Sequence, residues 1–304
     1  MKKSIHFFLL FFVILGITYY VAGKWDLNAL ARLSLKPNTL LISIGLLAIH
    51  FLLACLLSYL LITGKKNIDL YTYQQIYFVS QLGRYIPGKI WMVLGKFEAL
   101  RRKGFDLYWV AAISIVEMLL MVLGALAVAA GCLAIGPGKY LKTYTESAQV
   151  LFGCCIVIIL FSKQLINYAL NLGKFALKKI KTDIISDIDS IHNGKFILIA
   201  LGYSLGWILQ GVAFFFLILS LNPRTMFEFR FIFIYAISWL TGFFAVFSPS
   251  GIGVRESLMI LLLSTEISTT EAAVIAMLAR VWATGTELGI AFISLLPFHK
   301  APSH

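Results

Sequence analysis

Charged residues are scarce in this sequence. Only 13% of its 304 residues are Asp, Glu, Lys or Arg, and 60% are apolar, whereas a soluble domain carries roughly 25% charged residues. Long polar stretches are also missing, since the longest polar connection between apolar segments is 172–195. These shortages exclude a soluble globular domain and predict a single integral membrane domain over 1–304.

Metal-ligand and cofactor motifs are missing as well. The four cysteines, Cys55, Cys132, Cys154 and Cys155, lie in apolar stretches without the spacing of metal ligands, and the five histidines form no cluster. A small hydrophobic role fits such cysteines better than a disulfide framework. No nucleotide-binding motif is recognisable. We therefore expect no metal, no cofactor and no catalytic residue of a known type.

Apolar stretches of membrane-spanning length dominate what is present. Six of them are long enough to cross a bilayer as helices: 5–23, 39–63, 107–135, 148–171, 196–221 and 271–296. Two further apolar regions, 74–98 and 231–265, are interrupted by glycine, proline and charge. The sequence therefore predicts an all-α polytopic membrane protein with about six full transmembrane helices and two re-entrant or broken helical hairpins.

Acidic residues are outnumbered, and the formal net charge is +12. The segments 1–4, 64–73, 99–106, 172–195 and 297–304 hold 13 Lys and Arg, against 7 in the alternate segments 24–38, 136–147, 222–230 and 266–270. This asymmetry follows the positive-inside rule and predicts that both termini are cytoplasmic. The positive charge is thus explained by membrane topology, and no nucleic acid partner is expected.

The order of the elements repeats along the chain. Residues 1–135 contain two spans, a broken segment and one span, and residues 148–296 contain the same series. If each broken segment is a re-entrant hairpin, the first half starts inside and ends outside, and the second half does the reverse. The sequence therefore predicts an inverted-topology repeat, the arrangement of many secondary transporters.

The first broken segment combines helix-breaking residues with positive charge. Pro87 disfavours helix at the preceding residue and suits the start of a new one, with Gly88 beside it. Arg84 and Lys89 flank this point. Charge and irregular backbone persist inside a membrane only where protein or water surrounds them. We therefore place these four residues among the candidate substrate-binding residues.

The second broken segment has the same character. Pro249 is predicted to occupy the first helical position after Ser248. Gly251 and Gly253 permit positive φ or close backbone approach. Arg255 and Glu256 follow at the new helix N-terminus, where free N–H groups and the helix dipole favour an anion. Gly251, Gly253, Arg255 and Glu256 therefore complete the predicted anion site. We expect the tips of the two broken segments to meet there, as discontinuous helices do in inverted repeats.

Further ionisable residues lie within the predicted spans. Arg280, Thr284 and Glu287 are spaced by four and three residues, so they share one face of the last helix. Glu117 lies well inside the 107–135 span and should also face inward. These four are predicted supporting polar residues. The alternative is a set of internal salt bridges that only orient the helices.

The two broken segments resemble the motifs of a known family. Arg84-Tyr85-Ile86-Pro87-Gly88-Lys89, followed by Lys96 and Arg101-Arg102, resembles the first motif of the flippase-like, lysylphosphatidylglycerol synthase transmembrane-region family. Ser248-Pro249-Ser250-Gly251-Ile252-Gly253-Val254-Arg255-Glu256 resembles the second, and Glu117 and Arg280 match a family Glu and Arg. On this basis Lys96 joins the candidate substrate-binding residues. Met118, where many members have Arg, and Ser250, where the motif has glycine, depart from the pattern.

The resemblance implies a multi-pass protein of a bacterial or archaeal cell inner membrane. Some members carry a cytoplasmic aminoacyl-transferase domain, and we expect this chain to be the stand-alone membrane domain. The implied function is a flippase or translocase for an anionic phospholipid or a lipid-linked (polyprenyl-phosphate) precursor. Two alternatives stay open: a membrane-embedded enzyme acting on a lipid-linked phosphate, with Glu117 or Glu256 as base, and a non-transporting partner subunit of a glycosyl- or lipid-transferase.

Overall fold

The computed structural model describes residues 35–63, 66–85, 91–136, 142–168, 192–245, 248 and 251–296. Every regular element in these ranges is helical. The helices are α1 (Pro37–Ile62), α2 (Leu70–Gln81), α3 (Trp91–Arg102), α4 (Leu107–Ile135), α5 (Thr145–Leu160), α6 (Asn193–Leu221), α7 (Phe229–Phe244), α8 (Val254–Leu263) and α9 (Thr269–Leu295). Two 3₁₀ turns, Leu82–Tyr85 and Lys142–Tyr144, precede α3 and α5.

Five of these helices are long and apolar enough to cross a membrane: α1, α4, α5 together with its preceding 3₁₀ turn, α6 and α9. The predicted all-α polytopic membrane fold is therefore confirmed. The predicted span 148–171 corresponds to α5, which ends at Leu160 and is followed after a turn by helical residues 162–168. The first predicted span, 5–23, lies outside the described residues.

The two interrupted regions form helical hairpins. Hairpin 1 consists of α2, the 3₁₀ turn and α3; hairpin 2 consists of α7 and α8; in each, the two helices pack against one another. The helices α2 and α3 have 12 residues each and α8 has 10. At about 1.5 Å per residue they are shorter than the roughly 30 Å hydrocarbon layer. None of these three helices can cross a bilayer alone.

Helices α1 and α6 run antiparallel along their whole length. Near one end, Lys36 N donates to Ser220 O at 2.8 Å, and near the middle His50 Nδ1 donates to Gly206 O at 2.9 Å. Hairpin 1 follows the end of α1 and hairpin 2 follows the end of α6, so the hairpins open at opposite ends of the bundle. We call these ends the hairpin-1 face, containing residues 62–63 and 66–70, and the hairpin-2 face, containing residues 221–229.

The helix starts are specified locally. At the hairpin-1 face, the Asp69 carboxylate caps α2 by accepting from Thr72 N at 2.8 Å, and this bond lowers the pKa of Asp69. Asp106 caps α4 in the same way by accepting from Trp109 N at 3.0 Å. Such side chains satisfy backbone N–H groups that a helix start leaves unpaired. The caps fix where each helix leaves the connecting segment.

The described parts of the two halves pack in the same pattern. Helix α7 of hairpin 2 contacts α4, and α2 of hairpin 1 contacts α9; α8 likewise contacts α9, as α3 contacts α4. Two apolar cores, one mainly in each half, meet along α4 and α6. This arrangement is that of an inverted repeat. The repeat boundaries, 1–135 and 148–296, remain predictions because the first span is outside the described residues.

Candidate functional site

The tip of hairpin 1 depends on a close backbone contact. Gly83 lies in the 3₁₀ turn, and a Cβ at this position would be 2.5 Å from the backbone nitrogen of Met92. Only glycine therefore allows the turn to pack against the start of α3. The next residue, Arg84, reaches α9, where its Nη2 lies 2.9 Å from Glu287 Oε1. Arg84 also donates to the Gln81 side chain.

The tip of hairpin 2 is built on glycines with positive φ. Gly251 has φ +71° and Gly253 has φ +86°, a region that disfavours residues with a Cβ. A Cβ at Gly251 would lie 2.7 Å from Gly242 Cα of α7. Ser248 is fully buried, and its hydroxyl donates to Ile252 O at 2.6 Å. The turn is thereby held directly against α7.

Helix α8 begins at Val254, directly after the second glycine. Pro249, which was predicted at the first position of a new helix, lies outside the described residues. The positive φ values of Gly251 and Gly253 keep these two residues out of the right-handed helix. The helix therefore starts directly before Arg255, which places this residue in its first turn.

Arg255 is a buried cation. Its exposed fraction is 9%, and its guanidinium carbon lies 4.7 Å from the centre of the Tyr235 ring of α7. Gln210 of α6 donates to the Tyr235 hydroxyl at 3.2 Å and so holds the ring in position. Arg255 Nη2 has no hydrogen-bond partner among the residues that the structure describes. A buried guanidinium with an unused donor is suited to bind an anion.

Lys96 of α3 has a different environment. Its ammonium lies 2.6 Å from Glu117 Oε2 of α4 and donates to the buried Ser58 hydroxyl at 2.9 Å. The rings of Tyr73 and Tyr77 lie 5.8 and 5.7 Å from the same nitrogen. A paired and hydrogen-bonded lysine can remain charged while buried. In the described structure the charge of Lys96 is thus neutralised by its ion pair with Glu117.

The two hairpins therefore carry equivalent cations that differ in their charge partners. In each, a cation on the second helix lies over a tyrosine of the first: Lys96 over Tyr73 and Tyr77, and Arg255 over Tyr235. The following span neutralises Lys96 with Glu117. Within the described ranges, Arg255 has no carboxylate within salt-bridge distance. Among the described residues of the two hairpins, the cation without a carboxylate partner is therefore Arg255.

Helix α9 connects both hairpins through ion pairs. Arg280 Nη1 lies 3.4 Å from Glu256 Oε1 of hairpin 2, and Glu287 contacts Arg84 of hairpin 1. Glu256 also accepts from the Gly253 backbone N–H at 2.7 Å through its other oxygen. Arg280 and Glu287 thus each pair with a hairpin residue from α9, and Thr284 lies between them in the sequence. The carboxylate of Glu287 is the more deeply buried, at 3% exposure of the side chain.

The remaining predicted site residues, Pro87, Gly88 and Lys89, lie outside the described residues. Sequence reasoning expected the two hairpin tips to meet; in the described parts of the chain they are linked through α9. It also missed Tyr235, Gly242 and the residues around Lys96. Two signals were available in the sequence: a glycine inside an apolar helix often marks a close contact, and a buried tyrosine needs a partner for its hydroxyl.

Within the described ranges, no group of three His, Cys, Asp or Glu side chains is placed to hold a metal ion. The four cysteines are free thiols there, and three of them are buried. The ionisable residues of the site instead pair with one another or, in the case of Arg255, with an aromatic ring. This arrangement is suited to binding an anion.

Fold and site together define a multi-pass, all-helical membrane protein whose charged centre is built from two helical hairpins and a shared span. The chain belongs to the family described as lysylphosphatidylglycerol synthase TM region, whose model matches residues 7–286. Membership indicates a membrane protein involved in lipid handling. The comparison with curated proteins found no match.

Proposed function

We propose that this protein is a lipid flippase or translocase of a bacterial or archaeal cell inner membrane. It would move an anionic phospholipid or a lipid-linked (polyprenyl-phosphate) precursor between leaflets. The observation that carries the proposal is Arg255, a buried guanidinium with an unused donor in the first turn of α8. A phosphate is the membrane anion that fits such a group best.

The backbone around Arg255 supports a phosphate ligand. The first N–H groups of a helix have no intrahelical partner and carry the positive end of the helix dipole. One neighbouring donor, Gly253 N–H, is occupied by Glu256, and the charge of Glu256 is in turn paired with Arg280. Among the described residues, the positive charge of Arg255 is therefore not cancelled by a carboxylate.

The three ion pairs around α9 and α4 supply the frame of the site. Buried pairs contribute little net stability but are costly to break on one side only, roughly 3–5 kcal/mol. Arg84–Glu287 and Arg280–Glu256 tie the two hairpins to one helix, and Lys96–Glu117 ties hairpin 1 to α4. In this proposal Arg255 binds the phosphate, and the paired residues hold the hairpins in register.

The test is the distribution of lipid between leaflets. The protein is reconstituted into vesicles containing trace fluorescent lipids, and an impermeant reagent bleaches the outer-leaflet label. We expect the protected fraction of an anionic phospholipid or polyprenyl-phosphate probe to fall with active protein and to remain near one half with Arg255→Ala. Arg101→Ala is the matched control, because Arg101 is an exposed arginine paired with Glu98.

Unchanged protection for every anionic probe would contradict transport. Chemical conversion of the lipid phosphate by purified protein would instead favour the alternative of a membrane-embedded enzyme. If cells carrying the Arg255→Ala protein function normally and the protein co-purifies with a glycosyl- or lipid-transferase, the alternative of a non-transporting partner subunit would be favoured.

A further inference from the structure

A cavity lies at the opposite end of hairpin 2 from Arg255. It has a volume of about 310 Å³ and is enclosed by the end of α6, the start of α7, the end of α8 and the start of α9. Its α8 residues include Leu263, eight positions after Arg255. At about 1.5 Å per residue, this separates the cavity from Arg255 by roughly 12 Å along the helix axis.

The cavity has an apolar floor and a charged rim. The floor consists of aliphatic and aromatic side chains: Ile218, Phe231, Ile234, Leu262, Leu263, Ile267 and Ile275. The rim carries the polar groups: Asn222, Arg224, Thr225, Glu228, Arg230, Glu266 and Glu271. An apolar floor below a charged rim fits an amphiphile whose headgroup remains at the rim.

Most of the rim charge is paired internally. Arg230 Nε lies 3.1 Å from Glu228 Oε2, and Arg230 Nη1 contacts Glu266. Two charged residues remain. Arg224 is exposed and Glu271 is 9% exposed, and neither has an ion-pair partner in the described part of the chain. The rim thus keeps one cation and one anion available for a ligand.

Glu271 has a fixed carboxylate. Its Oε2 accepts from the Ser268 hydroxyl at 3.0 Å and from the Ser268 backbone N–H at 3.2 Å. These bonds satisfy one oxygen and orient the group at the start of α9. Neutral donors leave the negative charge uncompensated, and a nearly buried carboxylate gains from a cationic partner.

We propose that this cavity binds the headgroup of a zwitterionic phospholipid that carries a primary ammonium. Arg224 contacts the phosphate, Glu271 accepts hydrogen bonds from the ammonium, and the first carbons of the lipid lie on the apolar floor. The site is separate from the phosphate site at Arg255 and does not depend on the transport proposed above. A primary ammonium is preferred over a quaternary one because only the primary group donates hydrogen bonds to a carboxylate.

The experiment measures lipid binding to the delipidated full chain by native mass spectrometry. The probes are phosphatidylethanolamine, phosphatidylcholine and phosphatidylglycerol with identical short acyl chains at equal concentrations. We expect phosphatidylethanolamine to bind more tightly than phosphatidylcholine. Phosphatidylglycerol, which also fits the phosphate site at Arg255, is the probe whose binding Arg255→Ala should weaken. Glu271→Gln should weaken phosphatidylethanolamine binding about tenfold, as the loss of one charge-assisted hydrogen bond predicts. Glu146→Gln is the matched control, since Glu146 is an exposed carboxylate at the start of α5.

A second variant is needed because Glu271 also caps α9, so Glu271→Gln could weaken binding through a folding defect. Arg224→Gln changes an exposed side chain and should weaken phosphatidylethanolamine binding without altering the unfolding temperature. Arg255→Ala should leave this binding unchanged, which separates the two sites. Equal binding of phosphatidylethanolamine and phosphatidylcholine, or unaltered phosphatidylethanolamine binding in folded Glu271→Gln and Arg224→Gln, would overturn the proposal.

Discussion

Arg255 is the residue whose chemistry distinguishes the two hairpins. A guanidinium presents two parallel N–H groups to a phosphate, whereas an ammonium acts as a single point charge. Arg255→Lys keeps the charge beside Tyr235, so we expect the protein to fold normally and to lose at least about tenfold in transport rate, the effect of one lost charge-assisted bond. The measurement is lipid scrambling or transport in vesicles at matched protein abundance.

The control for this variant is Arg101→Lys, at an arginine whose side chain is 63% exposed, and it should be indistinguishable from the natural protein. A fully active Arg255→Lys protein would reduce Arg255 to a point charge or a structural tether. The proposal that Arg255 binds a lipid phosphate would then lose its main support.

The Arg84–Glu287 pair is the residue-level link between hairpin 1 and the last span. Arg84→Glu or Glu287→Arg alone places like charges about 3 Å apart at a position where Glu287 is almost fully buried. We expect each single variant to lose most transport and stability, since one-sided disruption of a buried pair costs roughly 3–5 kcal/mol. The double variant, with the charges exchanged, should recover part of both.

Glu98→Arg is the control for these reversals, because it breaks an exposed pair with Arg101, and such pairs contribute at most about 1 kcal/mol. Thermal unfolding in detergent and vesicle transport are measured side by side. A double variant no better than either single variant would show that the pair does not couple the two elements.

At the scale of elements, the turn of hairpin 2 depends on contact between two glycines. Gly251→Ala combines a positive φ with a Cβ only 2.7 Å from Gly242 Cα. Backbone strain and overpacking each cost about 1–3 kcal/mol, so the unfolding temperature should fall clearly. Gly285→Ala on α9 is the matched control, because a Cβ there meets nothing within 4 Å, and it should be neutral or slightly stabilising. Equal unfolding temperatures for both variants would contradict the described turn.

At the scale of the whole molecule, orientation in the membrane follows from charge. The excess of Lys and Arg in alternate connections predicts that both termini are cytoplasmic. Reporter fusions at the two termini and within 222–228, at the hairpin-2 face, test this: the termini should report cytoplasm and 222–228 the opposite side. A C-terminal reporter on the external side would require one hairpin to cross the membrane completely. This would contradict the predicted topology, because α3 and α8 are too short to span the hydrocarbon layer.

The sequence alone determined the class of protein and the positions of the breaks. Long apolar stretches can span a membrane whatever they contact, so α1, α4, α6 and α9 were predictable from composition. Glycine, proline and charge within such stretches are costly unless sheltered, so both hairpins were predictable as well. The start of α8 at Val254 depends on the positive φ of Gly251 and Gly253, which composition does not specify.

Only the tertiary structure decided which charges are neutralised. Lys96 and Arg255 are both cations within apolar segments, and nothing local to either distinguishes them. Glu117 reaches Lys96 because α3 packs on α4, and Glu287 reaches Arg84 because α2 packs on α9. Arg280 likewise forms an ion pair with Glu256. Breaking one side of such a buried pair is costly. Among the described residues, Arg255 has no carboxylate partner, so its guanidinium remains available to an anionic ligand.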